Sequence, residues 1–223
     1  MPIYKPTSEK SFLTPFGPTI GHLKMEKELV EYLNSMMNEK LRDFSDSLVG
    51  KVSQELLFSD EIAQHVGNKL IGFLGEYHLW NLERNSFGNH KHMHGKEQYD
   101  LRIINGWFVR QFQNEYNPLH VHNDCELSCV GYLSLPDNIE KEWEEDYKDH
   151  FPSNGHINFS YGVNNTYGCA SMLVKPRVGD FFIFPNYLFH CVYPFYTKGE
   201  RRSFSMNMTF EKKEIWIVFK KIS

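Results

Sequence analysis

Long apolar runs are what this sequence of 223 residues most conspicuously lacks. No stretch approaches the roughly 20 residues needed to cross a bilayer, so no membrane partner is predicted. An excess of one charge is missing too. Against 24 Lys and Arg stand 28 Asp and Glu, a formal charge of -4, with no basic block and no heptad series. That balance argues against a dedicated nucleic-acid binder. Cysteine is scarce: Cys125, Cys129, Cys169 and Cys191 form no CxxC pair and lie in or beside apolar segments. Reduced, buried thiols fit that placement better than a disulfide framework. The opening MPIYKPTSEKSF has neither the cationic start nor the apolar core of a signal peptide, which predicts a cytoplasmic protein. No internal repeat and no linker-like composition divides the chain, so a single structural domain is predicted.

What is present falls into two textures. In GHLKMEKELVEYLNSMMNEKL the apolar residues Leu23, Leu29, Val30, Leu33, Met36, Met37 and Leu41 recur at spacings near three and four, the pattern of an amphipathic helix. SDEIAQHVGNKLIGFLGEY repeats it, with Ser59 placed as an N-cap and Gly72 and Gly75 weakening the end. From about Leu101 the chain turns to short runs rich in Val, Ile, Phe and Tyr, bounded by Asn, Gly, Pro and Asp. Eight such runs, from LRIINGWFVRQFQ to EIWIVFK, predict a mainly β sandwich or barrel rather than a parallel α/β sheet. Residues 1–100 are thus read as an N-terminal helical segment packed on a β core formed by residues 101–223.

The stretch HVHND, His120 to Asp124, stands at the mouth of the strand candidate LSCVGYLSLP. Side chains two apart on a strand share a face, so His122 can project with Asp124, and equally with His120. A further imidazole, His190, sits in the apolar run LFHCVYPF. Two imidazoles and one carboxylate on one side of a metal leave positions open, as non-haem Fe(II) requires for a chelating co-substrate and dioxygen. Downstream, in ERRSFSMNM, Arg201, Ser203, Ser205 and Asn207 alternate with Arg202, Phe204, Met206 and Met208. The strand therefore has one polar face. A guanidinium is a rigid fork suited to a carboxylate, and a serine two residues on adds a hydrogen bond, so Arg201 and Ser203 read as an anion site.

These residues carry a resemblance. EYNPLHVHND, LSCVGYLSLP, GHINFSYG and GDFFIFPNYLFHCVYPFYTKGERRSFSMN look like the 2-oxoglutarate and Fe(II)-dependent oxygenases, in particular the prolyl-hydroxylase-like group found in marine phages and bacteria. The likeness covers roughly residues 105 to 210. It implies a double-stranded β-helix, a cupin-like jelly-roll, behind N-terminal helices. It implies Fe(II) held by His122, Asp124 and His190, and 2-oxoglutarate held at its far carboxylate by Arg201 and Ser203, with Tyr116 a weaker candidate for the same carboxylate. Phage members often carry His-x-His at the first pair, which leaves His120 with His122 as the alternative to His122 with Asp124. The implied activity is a dioxygenase consuming dioxygen and hydroxylating a peptide or small molecule, a prolyl residue being the nearest analogy, with ascorbate as reductant. If phage-encoded, the protein works in the host cytoplasm. Two rival readings are a jelly-roll binding protein without turnover, and a cupin-type dioxygenase that ignores 2-oxoglutarate. Arg201 and Ser203 speak against the second.

Other features read more plainly. His90, His92 and His94 lie in a polar segment without an apolar scaffold, the pattern of a mobile loop. The run IEKEWEEDYKDH reads as a solvated excursion between strands. Trp107 precedes the site and is a candidate pocket wall, and Gln111 and Gln113 alternate on the same strand.

Overall fold

The computed structural model describes residues 3–4, 9–13, 17–38, 40–85, 99–144, 152–166 and 168–212. His90, His92 and His94 and the run EIWIVFK lie outside the described residues.

Two sheets face each other. The larger contains β2 (Lys10–Leu13), β3 (Ile20–Lys24), β4 (Gln54–Leu57), β5 (Tyr99–Phe112), β7 (Leu127–Ser134), β10 (Asp180–Pro185) and β12 (Glu200–Lys212), in the order β2-β3-β10-β7-β12-β5-β4. All its pairings are antiparallel. The smaller contains β1 (Ile3–Tyr4), β6 (Asn117–His120), β8 (Ile157–Ser160), β9 (Ser171–Val174) and β11 (Phe189–Val192), in the order β1-β9-β8-β11-β6. Only β1 and β9 run parallel. This is the jelly-roll architecture, two antiparallel sheets enclosing a core.

Helices α1 (Lys27–Met36) and α2 (Asp60–Asn85) pack on the outer face of the larger sheet. Leu29 and Leu33 of α1 and Ile62, Val66, Leu70 and Leu74 of α2 join Phe108, Phe181, Phe204 and Met206 in one buried cluster. The Ser59 hydroxyl accepts from the Ile62 backbone N–H at 3.3 Å, so the cap read from sequence is present. The first hundred residues are more than a helical layer, however: β2, β3 and β4 extend the large sheet at both ends. The helix read from Gly21 to Leu41 is accordingly shorter, because Ile20–Lys24 pairs with β10 instead.

The strand period sorts β12 as its sequence predicts. Phe204, Met206 and Met208 enter the helix-side cluster, whereas Arg201, Ser203, Ser205 and Asn207 face the space between the sheets. Gly131, opposite Phe204, is required by packing: a Cβ there would lie 2.2 Å from the Phe204 ring. Between the sheets Ile20, Val130, Phe159, Phe182 and Phe184 form a second core that floors one cavity of about 270 Å³. The acidic run is not wholly solvated. Glu142 is buried, and its carboxylate accepts from the Tyr196 N–H at 2.9 Å and from Thr197. No helix among the described residues is long and apolar enough to cross a membrane.

Candidate active site

β6 and β11 are antiparallel neighbours in a register that sets His120 directly opposite His190, so both imidazoles point into the cavity. His122 lies two residues past the end of β6 and is held by its backbone. Its N–H donates to the Asn186 carbonyl at 3.0 Å, and the Asn186 side-chain amide donates to the His122 carbonyl at 3.0 Å. Asn186 sits on the turn between β10 and β11, so one residue locks the His122 loop beside His190. Ligating nitrogens of His120, His122 and His190 all fall within 4.8 Å of one another, and the Nε2 atoms of His122 and His190 are 3.2 Å apart.

The hydrogen bonds fix how two of these rings present themselves. His120 Nδ1 lies 2.7 Å from the Pro118 carbonyl, and His190 Nδ1 lies 2.9 Å from the Leu188 carbonyl. A carbonyl only accepts, so each Nδ1 carries the proton and each Nε2 turns a lone pair inward, as a metal-ligating histidine requires. Burial then keeps the rings neutral. It pushes His122 down to about 4, with His120 adding to the effect, and holds His190 well below the usual imidazole range.

Asp124, paired with His122 by the sequence reading, is not in this group. It is exposed, with φ at 57°, in the left-handed region. β6 ends at His120, and the strand alternation that would align Asp124 with His122 does not continue through the loop. The His-x-His alternative is what the geometry favours. Tyr116 is likewise exposed and does not line the cavity.

Facing the histidines, the larger sheet offers a polar wall. Arg201 is 1% exposed, and its guanidinium donates to the Gly155 carbonyl at 2.7 Å and to Gln111 Oε1. Both acceptors are neutral. Among the described residues no carboxylate pairs with this buried cation, which is costly without an anion. Ser203 lies opposite Tyr132 across β12 and β7, and both line the cavity. The Tyr132 hydroxyl is buried and has no hydrogen-bond partner among the described residues, and burial raises it to about 12. Arg201, Ser203 and Tyr132 therefore form a donor set short of an acceptor. Trp107 lines the same cavity, its ring 5.9 Å from His122. Gln111 faces inward on Arg201 while Gln113 is exposed, which separates the two glutamines.

Sequence reasoning missed Tyr132, Asn186 and the orienting role of Gln111. Tyr132 sits on the inward face of an apolar strand run, so a period-2 count from Val130 was the available signal. Nothing in the sequence marks Asn186.

Three imidazoles converging at this spacing, two of them with the Nε2 lone pair turned inward, fit a divalent transition metal, and a buried guanidinium without a carboxylate partner among the described residues fits a dicarboxylate. Residues 105–207 match the model of a protein family described as "Putative 2OG-Fe(II) oxygenase". The matched segment contains His120, His122, His190, Arg201 and Ser203. The match spans somewhat less than half of the chain, and over that segment the chain is similar to the 2-oxoglutarate and Fe(II)-dependent oxygenases. The fold is similar to that of an oxidoreductase of the 2OG-Fe(II) oxygenase family from Burkholderia pseudomallei, at 14% identity and a TM-score of 0.52, over 85% of this chain and 83% of that one. HygX from Streptomyces hygroscopicus, solved with nickel and 2-oxoglutarate bound, is 12% identical with a TM-score of 0.53, over 85% and 82%. A prolyl-4-hydroxylase from Pseudomonas putida is 15% identical with a TM-score of 0.49, over 93% and 95%. No curated protein matches the sequence.

Proposed function

We propose that the chain is a hydroxylase in which His120, His122 and His190 hold Fe(II), and Arg201, Ser203 and Tyr132 hold the far carboxylate of 2-oxoglutarate. The carrying observation is the coexistence, in one cavity, of three imidazoles in a ligating arrangement and a buried guanidinium without a carboxylate partner among the described residues. With iron and 2-oxoglutarate bound, the site would use dioxygen to convert the oxo acid to succinate and CO2 while one oxygen atom enters a substrate C–H bond.

The protein's own part is to position. Arg201 places the diacid by a charge-assisted fork, and Gln111 and the Gly155 carbonyl keep that fork from swinging. The Pro118 and Leu188 carbonyls hold the proton on Nδ1 of His120 and His190. Trp107 and Phe184 wall the cavity and limit water. The substrate is a peptide or a small molecule, with a prolyl residue the form that the family resemblance suggests.

Succinate release in the presence of Fe(II), 2-oxoglutarate, ascorbate and dioxygen is the direct test, read beside anaerobic metal titration of two variants. His120→Ala should abolish turnover and weaken metal binding at least a hundredfold, while Asp124→Ala should change both only a few-fold. The reverse ranking would restore the carboxylate triad. Wild type that releases no succinate and binds no 2-oxoglutarate would leave a binding protein instead.

A further inference from the structure

At the end of the cavity served by the N-terminal half lies a carboxyl group that the metal and 2-oxoglutarate do not use. Glu55, on β4, is 1% exposed and lines the cavity, yet its Oε2 has no hydrogen-bond partner among the described residues. It stands directly opposite Val109, itself opposite Ser203, so Glu55, Val109, Ser203 and Tyr132 form one rung of inward side chains across four strands. β4 is two strands from β12, which puts Glu55 about 10 Å from Ser203. The acidic end and the Arg201 end are therefore different parts of one space, and a carboxylate would not choose both.

The neighbours of Glu55 share its character. Asn117 Oδ1 is also buried and without a partner among the described residues, and so are Asn105 Oδ1 and Asn207 Oδ1 farther along the wall. A Cβ at Gly50 would lie 3.0 Å from Asn117 Oδ1 and 3.3 Å from Glu55 Oε1, so both oxygens converge over a stretch of backbone kept bare by glycine. The wall is thus rich in acceptors. Buried acceptors left unpaired are costly and rare, and their complement is a group that donates. No lysine or arginine among the described residues pairs with Glu55. Burial and the neighbouring Asp43 together raise Glu55 to about 7, and a bound cation would oppose both effects.

We propose that Glu55, with Asn117 beside it, recognises an ammonium or guanidinium group on the substrate, so the oxygenase acts on a cationic molecule or on a peptide carrying a basic side chain. This deepens the oxygenase reading and rests on it for the identity of the reaction.

The test uses the full chain loaded with Mn(II) and 2-oxoglutarate under nitrogen, and two pairs of probes. One is n-butylammonium against 1-butanol, the other N-acetyl-lysine methylamide against N-acetyl-norleucine methylamide, with affinities measured by NMR titration. In wild type the ammonium member of at least one pair should bind at least tenfold more tightly than its neutral twin. A preference confined to the lysine derivative identifies a peptide substrate, and one confined to butylammonium a small amine. In Glu55→Gln the preference should fall to about twofold or less, with neutral-probe affinity unchanged, which shows that the cavity is still formed. Asn117→Asp, adding a second carboxylate, should enlarge it. Wild type without a preference in either pair, or Glu55→Gln retaining it, overturns the assignment. Failure of wild type to bind 2-oxoglutarate overturns the oxygenase reading alone, since the ammonium preference is measured separately.

Discussion

Arg201 donates to a backbone carbonyl and a side-chain amide oxygen, both neutral, while water is excluded from its guanidinium. Removing one partner of a buried charge pair typically costs about 3 to 5 kcal/mol. At about 1.4 kcal/mol per tenfold, Arg201→Ala should weaken 2-oxoglutarate by roughly two to three orders of magnitude. Metal affinity should move little, because the histidines reach the cavity from the other sheet. Calorimetric titration with metal and then with 2-oxoglutarate separates the two, and unchanged 2-oxoglutarate affinity would remove Arg201 from the role. At this scale the sequence was legible wherever strand alternation governed: Arg201, Ser203 and His190 face the cavity as their spacing implies. Asp124 lies outside the histidine group, because the alternation that would align it with His122 does not continue past the end of β6, in a loop where Asp124 is left-handed.

The turn between β10 and β11 and the loop after β6 act as one device, joined by Asn186. Besides gripping His122, the Asn186 N–H donates to the Glu126 carbonyl at 3.0 Å, so the loop is pinned at both ends. Asn186→Ala should weaken metal binding by about 10- to 100-fold, the range found when a group orienting a ligand is lost, with the unfolding midpoint nearly unchanged. A fall in stability without loss of metal affinity would make Asn186 merely structural. β7 depends on a different constraint. Gly131→Ala drives a methyl into the Phe204 ring, and overpacking of this kind costs about 1 to 3 kcal/mol, measurable by urea denaturation. Elements with strong periodicity, α2 and β7 among them, were readable. β6 was not: NPLH is four residues long, begins with a turn-like Asn-Pro, and is a strand only because β11 pairs with it. β3 was hidden for the opposite reason, its residues continuing the helical spacing of α1 until tertiary pairing overrode it.

Across the whole molecule, His78, His120, His122, His156 and His190 are all held below the ordinary imidazole range, burial being the main cause in each. Folded His122 stays neutral down to about 4, whereas in the unfolded chain it takes up a proton below about 6.5. Between those values the unfolded state binds more protons, so this stabilisation is complete above 6.5 and is lost as pH falls towards 4. His122 alone accounts for about 3 kcal/mol at about 1.4 kcal/mol per unit. Glu55 works the other way: raised to about 7 in the fold, it stabilises below its unfolded value and loses that contribution as pH rises through 7. Among the described residues, one such group against five histidines leaves the histidines dominant. The metal-free protein should therefore unfold at distinctly lower urea at pH 5 than at pH 7.5, and an equal or higher midpoint at pH 5 would contradict the buried neutral rings.

The strand order of the larger sheet sets who depends on whom. β2 and β3 close one side and β4 the other, and all three come from the first 57 residues, while the centre is built from strands that follow. The earliest part of the chain thus has no sheet to join until the latest part exists, and both flanks wait on contacts distant in sequence, a topology that folds slowly. A fragment confined to residues 105–207 would hold all three histidines and Arg201 yet present β10 and β5 as bare edges with unpaired backbone groups. Such a piece should self-associate through those edges rather than remain a working minimal enzyme, so the segment most recognisable by family is not the segment that can live alone.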